Sequence, residues 1–148
     1  MAEWDRIFEV NVRGTWLCCK AIAPLMVKQS SGKIINIASN IFRITHPQTL
    51  LAYACSKAAV LTLTQALARE LGASGINVNA IGPGFTATEA SLLHGGGDHT
   101  FEDTVAAQSL KRREEPEDLA GTAVFLASKE SDFITGQFFV VDGGNVML

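Results

Sequence analysis

The sequence has little of what marks several protein classes. No apolar run approaches the ~18 residues that a membrane span requires. The opening Met1-Ala-Glu-Trp-Asp5 lacks the charged-then-apolar order of a signal peptide, so a cytoplasmic protein without a membrane partner is expected. Twelve Lys and Arg against fifteen Asp and Glu, a net charge of -3, leave no basic stripe, and nucleic acid is not expected as a partner. Cys18, Cys19 and Cys55 show no metal-ligand spacing with the histidines, so neither a metal site nor a disulfide framework is read and the thiols are expected to be free. Internal repeats and linkers are also missing. What is there is 148 residues with 47% hydrophobic side chains, enough for one core, and residues 1–148 are taken as one domain.

Periodicity predicts a helix over 4–28, with Trp4, Phe8, Val12 and Thr15 at spacings of three and four and Pro24 near its end. The isoleucine-rich stretch after Ser30-Ser31-Gly32 predicts a strand over 33–38, buried on both faces of a parallel sheet. A loop covers Asn40 to about Gln48, and a helix rich in alanine, leucine and threonine runs from near Thr49 to Leu71, with Gly72 as its stop. Ile76–Ile81 alternates toward a second strand that Gly82-Pro83-Gly84 breaks. Residues 90–100, with Gly95-Gly96-Gly97, read as a flexible connection. Pro116, with Glu117 and Asp118, opens a helix ending near Ser128, and 137–142 is a third strand. The alternation implies a doubly wound α/β parallel sheet, but only part of one.

Chemistry concentrates in Tyr53-Ala-Cys-Ser-Lys57, with Ser39 upstream and Asn11 earlier still. Residues i and i+4 lie one above the other on a helix, so the phenol of Tyr53 and the ammonium of Lys57 can meet. A free tyrosine titrates near ~10, and a fixed ammonium favours its phenolate. Ser39 falls at the carboxyl end of the first strand, where ligands of open α/β sheets bind. Alone, the pair also fits a core tyrosine with a solvated lysine one turn on. Ser39 also fits a turn serine, and Asn11 a polar helix residue without a partner.

With Asn11, Asn36-Ile-Ala-Ser39, Tyr53-x-x-x-Lys57, Pro83-Gly84-x-x-x-Thr88 and Val141-Asp142-Gly143-Gly144 in this order, the whole chain resembles the short-chain dehydrogenase/reductase family. The resemblance implies a Rossmann-like sheet lacking its first βαβ units. The glycine-rich turn that holds the cofactor pyrophosphate in family members, and their Asn-Asn-Ala-Gly stretch, are not found. Gly82-Pro-Gly84-Phe-Thr-Ala87 fits the looser G-x-G-x-x-A fingerprint. It is rejected as that cradle, because a triple glycine rather than a sustained helix follows.

The implied reaction is hydride transfer between NAD or NADP and a small-molecule carbonyl or alcohol. Tyr53 is then the general acid or base and Ser39 the donor to the substrate oxygen. Lys57 lowers the Tyr53 pKa and holds the nicotinamide ribose, and Asn11 holds a water that links Lys57 to solvent. Pro83, Gly84, Thr86 and Thr88 form the loop that approaches the nicotinamide, although Thr86 departs from the branched apolar residue expected there. Asn40, Ile41, His46, Phe85 and the 90–104 segment line the substrate pocket, with a lid around Gly95. Taken one at a time, His46, His94 and His99 read as solvated loop residues.

Medium-sized alcohols or ketones and a 3-oxoacyl thioester both remain open as substrates, as does the choice of NAD or NADP. The resemblance further implies a homodimer or homotetramer formed through helices 4–28 and 49–71. Two readings follow. In one the chain is the carboxyl-terminal portion of an oxidoreductase, inactive or very weak as an isolated 148-residue piece because the pyrophosphate and adenosine sites are absent. In the other it is a non-catalytic oligomerisation partner.

Overall fold

The computed structural model describes residues 1–44, 50–94 and 98–147. His46, the first residue of the expected 49–71 helix and the expected lid at Gly95–Gly97 lie outside the described residues. Three strands, β1 (Gly32–Ile37), β2 (Ile76–Pro83) and β3 (Phe138–Val141), form a sheet in the order β1-β2-β3. Both pairings are parallel, with Gly32 opposite Ile76 and Ala80 opposite Phe138. Parallel neighbours need long crossovers, and the segments between the strands supply helices for them. Central β2 is buried on both faces through Ile76, Val78, Ala80 and Ile81, while β1 leaves Ile37 half-exposed.

Helices α1 (Ala2–Phe8) and α2 (Gly14–Gln29) precede β1, and α3 (Leu51–Leu71) joins β1 to β2. Between β2 and β3 run α4 (Glu89–His94), α5 (Asp98–Ala107) and α6 (Pro116–Ala127). Successive strand residues face opposite ways. Phe138 meets Phe42 at 5.4 Å and packs with Val60 and Leu61 of α3, whereas Phe139 meets Phe125 of α6 at 6.4 Å. Helices α3 and α6 therefore cover opposite faces of the sheet. On the α3 side, Cys19 of α2 joins Ile34, Ala68, Leu71, Ile76 and Val78 in one apolar cluster.

Three sequence expectations need correction. The expected helix over 4–28 is real, but a π-turn at Glu9–Arg13 divides it, and Pro24 lies inside α2. Gly72 follows the last residue of α3, as expected, although with helical dihedrals that open a 3-10 turn, and the left-handed residue is Gly75 at φ +75°. Gly82 and Pro83 extend β2 rather than breaking it, because Pro83 is the last residue of the strand, beyond the end of its register with β1, and its carbonyl still accepts from Asn40 at 3.0 Å. Residues 90–94 and 98–100 are helical, not an open connection, and α5 is anchored by fully buried Phe101.

The expectation about apolar runs is also revised. Leu51–Ser74, 24 residues at mean hydropathy 1.2, is long and apolar enough by length and composition to cross a bilayer. Here α3 lies across β1 and β2. Its buried Ser56 and Thr64 find partners within the protein, Thr64 accepting from Asn36 Nδ2 at 2.9 Å.

Candidate active site

Chain direction places the site. The carboxyl ends of β1 and β2 lie side by side, and their continuations are tied together by the Asn40 N–H bond to the Pro83 carbonyl. Ser39 leaves β1 here, buried, with its Oγ accepting from the Ile41 N–H at 3.2 Å. That leaves the hydroxyl proton to donate toward the Tyr53 phenol. Burial pushes the Tyr53 phenol above its ordinary value, and the Ser39 hydrogen bond pulls back part of that rise.

Lys57 lies one turn further along α3, with its Nζ 5.6 Å from the centre of the Tyr53 ring. The ammonium donates to the Ile37 carbonyl at 2.9 Å, and burial pulls it below its ordinary value. The sequence reading has Lys57 bring the tyrosine toward neutrality. Here burial outweighs the Ser39 bond and leaves the phenol raised, while the ammonium is engaged with a backbone carbonyl.

Asn11 lies in the π-turn, a distortion common at functional sites. Its Nδ2 donates to Ser56 Oγ at 3.0 Å, and Ser56 Oγ donates to the Tyr53 carbonyl at 2.7 Å. The amide is thus committed to the tyrosine's own helix turn, while the Asn11 carbonyl accepts from Thr15 Oγ1 at 2.7 Å. Ser56 is a residue that the sequence reading missed. Its spacing three after Tyr53 was visible, but its partner 45 residues upstream was not.

The 83–88 loop follows β2 to the same edge. Gly84 N–H donates to the Val141 carbonyl at 3.1 Å and to Glu114 Oε2 at 3.0 Å, and Thr86 Oγ1 donates to Glu114 Oε1 at 2.8 Å. The Gly84 N–H of the G-x-G-x-x-A match is thus engaged within the protein. Thr88 and Ser91 cap α4 for each other, Ser91 N–H donating to Thr88 Oγ1 at 3.2 Å and Thr88 N–H to Ser91 Oγ at 2.8 Å.

The expected pocket residues divide. Phe85 stacks on Phe101 of α5 at 4.3 Å. Asn40 is 4% exposed and its Nδ2 donates to Asp142 Oδ2 at 2.9 Å, so it is turned inward rather than lining a wall. Glu114 and the side chain of Asp142 were missed. The run Glu114-Glu-Pro-Glu-Asp118 reads as the acidic start of a helix, and nothing in it signals a contact 28 residues back.

A parallel sheet helical on both faces, with Ser39, Tyr53 and Lys57 gathered at its carboxyl edge, defines a Rossmann-like α/β protein with a candidate site there. The sequence model of the family described as enoyl-(acyl carrier protein) reductase matches residues 1–145, and the chain belongs to this short-chain dehydrogenase/reductase family. It is 39% identical over 148 residues to a 3-oxoacyl-[acyl-carrier-protein] reductase of Synechocystis, covering 99% of this chain and 58% of that protein. The structure of a Burkholderia cenocepacia gluconate 5-dehydrogenase in complex with NADP and tartrate is similar at a TM-score of 0.92 and 33% identity, over 97% of this chain and 56% of that one. A Brucella melitensis 3-oxoacyl-[acyl-carrier protein] reductase with bound NAD is similar at 0.88 and 33%, over 99% and 53%. The chain thus spans a little over half the length of the relatives it matches.

Proposed function

We propose that the chain carries the proton-transfer half of an NAD(P)-dependent oxidoreductase acting on a carbonyl or alcohol, with Tyr53 as the general acid or base. The observation that carries this reading is the gathering of Ser39, Tyr53 and Lys57 at the carboxyl edge of the sheet, with Lys57 Nζ 5.6 Å from the centre of the Tyr53 ring and bonded to the carbonyl of Ile37, two residues before Ser39. When bound, the nicotinamide supplies or accepts the hydride. As hydride reaches a carbonyl carbon, negative charge grows on its oxygen, where the Ser39 hydroxyl stabilises it and the Tyr53 phenol delivers a proton. The protonated phenol serves carbonyl reduction, and alcohol oxidation requires its phenolate. The donor set fits the nicotinamide end of the cofactor, with the Lys57 ammonium for the ribose hydroxyls and the 83–88 loop for the ring.

Relatives named as 3-oxoacyl-carrier-protein reductases support a 3-oxoacyl thioester as substrate. The 148 residues alone are proposed to be inactive or very weak, since among the described residues no glycine-rich strand-to-helix turn offers a pyrophosphate hold. Calorimetric titration with NAD and NADP tests this, and micromolar affinity would contradict it. The reading itself is tested by joining to the amino end of this chain the part of the Synechocystis reductase outside the match. The joined protein should oxidise NADH or NADPH with a 3-oxoacyl thioester, and Tyr53→Phe should cost at least about 100-fold in rate. Cofactor binding without turnover of any carbonyl would overturn it.

One observation favours a second reading, that the chain acts as an oligomerisation partner. Trp16, Leu17, Leu25 and Val27 of α2 stand exposed, Leu25 at 62%. Light scattering of the purified chain should then show a dimer or larger species that Leu25→Glu disperses. A monomer would exclude it.

A further inference from the structure

Glu114 is 6% exposed and makes contacts that its burial does not favour. Burial pushes its carboxyl up. The bonds from Thr86 and Gly84 pull it down, and the like charges of Asp142 and Asp118 push it up again, for a net rise. The two hydrogen bonds therefore do not make good the cost of burying the charge. The nearby Arg112 guanidinium forks onto Asp118 at 2.6 Å instead. Both oxygens of this buried carboxyl are engaged, and its role lies in what they hold.

What it holds is the 83–88 loop. Its two oxygens take the Gly84 N–H at 3.0 Å and the Thr86 hydroxyl at 2.8 Å, and its own carbonyl accepts from the Ala87 N–H at 2.7 Å. Gly84, Thr86 and Ala87 are thereby all held by Glu114. The approach is close enough that a Cβ on Gly84 would come within 2.6 Å of Glu114 Oε2 and 2.9 Å of Asp142 Cβ. The unexpected Thr86 becomes intelligible too, because a branched apolar residue would leave Glu114 Oε1 without that donor.

We propose that Glu114 is a positioning residue that fixes the Pro83–Thr88 loop in the one conformation offered to the nicotinamide, with Thr86 as its partner. The proposal rests on the reading that this loop faces the nicotinamide. A glutamine at 114 can keep both contacts, its amide oxygen accepting from Gly84 and its amide nitrogen donating to Thr86 Oγ1. A leucine fills the space and makes neither.

The test is amide hydrogen exchange and thermal melting of the 148-residue chain without cofactor, in wild type, Glu114→Gln, Glu114→Leu and Thr86→Val. In Glu114→Leu the Gly84 and Ala87 amides should exchange about tenfold faster while the melting temperature holds or rises, because the buried charge is gone. Thr86→Val should shift the same amides in the same direction, and Glu114→Gln should restore protection. Unchanged exchange in a folded Glu114→Leu chain overturns the proposal, as does loss of protection in Glu114→Gln equal to that in Glu114→Leu.

Reduced nicotinamide mononucleotide, titrated while the loop amides are followed by NMR, probes the second half. It should shift the 83–88 amides of the wild type at several-fold lower concentration than those of Glu114→Leu. Equal affinity in both overturns the proposal. If the mononucleotide moves no loop amide even in wild type, the nicotinamide-facing reading fails and the positioning role falls with it. The exchange data then still show whether Glu114 grips the loop.

Discussion

Asn11 reaches Ser56 across the interface of two helices at 3.0 Å, and through Ser56 it reaches the backbone carbonyl of Tyr53 rather than any side chain of the site. The π-turn aims the amide at α3, and the carbonyl at Tyr53 is fixed from outside its own helix. Asn11→Ala should therefore cost about 1–2 kcal/mol, since buried Ser56 loses its donor. In a double-mutant cycle with Ser56→Ala, urea unfolding should give a coupling of about 1 kcal/mol. A coupling near zero would mean that the two groups act independently.

Tyr53 is the chain's one tyrosine, so ultraviolet titration of tyrosinate reads it alone. Its midpoint should lie above the ordinary ~10. Removing the Ser39 donor in Ser39→Ala should push it higher, and Lys57→Met should move it less than Ser39→Ala does. The sign for stability follows. A folded pKa above the unfolded one contributes stability that is present below ~10 and lost as pH rises through the folded value. Tyr53→Phe should flatten that alkaline slope in denaturant titrations. A midpoint below ~10 would show that the ammonium, not burial, governs the phenol.

Contacts within one turn, or between a strand end and the helix after it, were legible in the sequence: Tyr53 with Lys57 by their spacing, and Ser39 by its place after an isoleucine-rich strand. The Thr86–Glu114 and Asn40–Asp142 pairs were not, being 28 and 102 residues apart between segments whose composition reads as loop or helix start. The π-turn was hidden because one extra residue in an apolar helix hardly disturbs a three-and-four pattern. Helix α5 was obscured by the triple glycine before it; its order comes from Phe101 packing on Phe85, a tertiary contact that local propensity does not report.

Gly82 pairs with Val140 in the sheet, and the Phe138 ring lies over it so closely that a Cβ would stand 2.3 Å from the ring. Since that contact is with the body of an aromatic ring in a packed cluster, Gly82→Ala should cost about 1–3 kcal/mol by overpacking. Phe138→Leu on the same background should recover part of the loss in chemical denaturation, although the leucine alone is destabilising. An unchanged midpoint for Gly82→Ala would mean that the ring swings away freely and that this sheet edge is looser than its packing indicates.

Asp142 gathers four donors, Asn40 Nδ2 at 2.9 Å and the N–H groups of Gly144, Asn145 and Val146 at 3.0, 3.1 and 2.9 Å. It thus locks the turn after β3 to the residue next to Ser39. Truncation in Asp142→Ala leaves these donors without their acceptor, and a loss of about 3 kcal/mol is expected, larger than for Asn40→Ala. Asn40→Asp is the sharper probe, because it sets a second carboxylate against the first in a buried position and should destabilise more than Asn40→Ala at neutral pH. Adding Asp142→Asn rebuilds a donor–acceptor pair with the roles exchanged, and should recover part of that loss, not all, since one amide oxygen cannot serve three backbone N–H groups. If the double variant is no more stable than Asn40→Asp alone, the two side chains do not interact, and the placement of Ser39 must come from the sheet by itself.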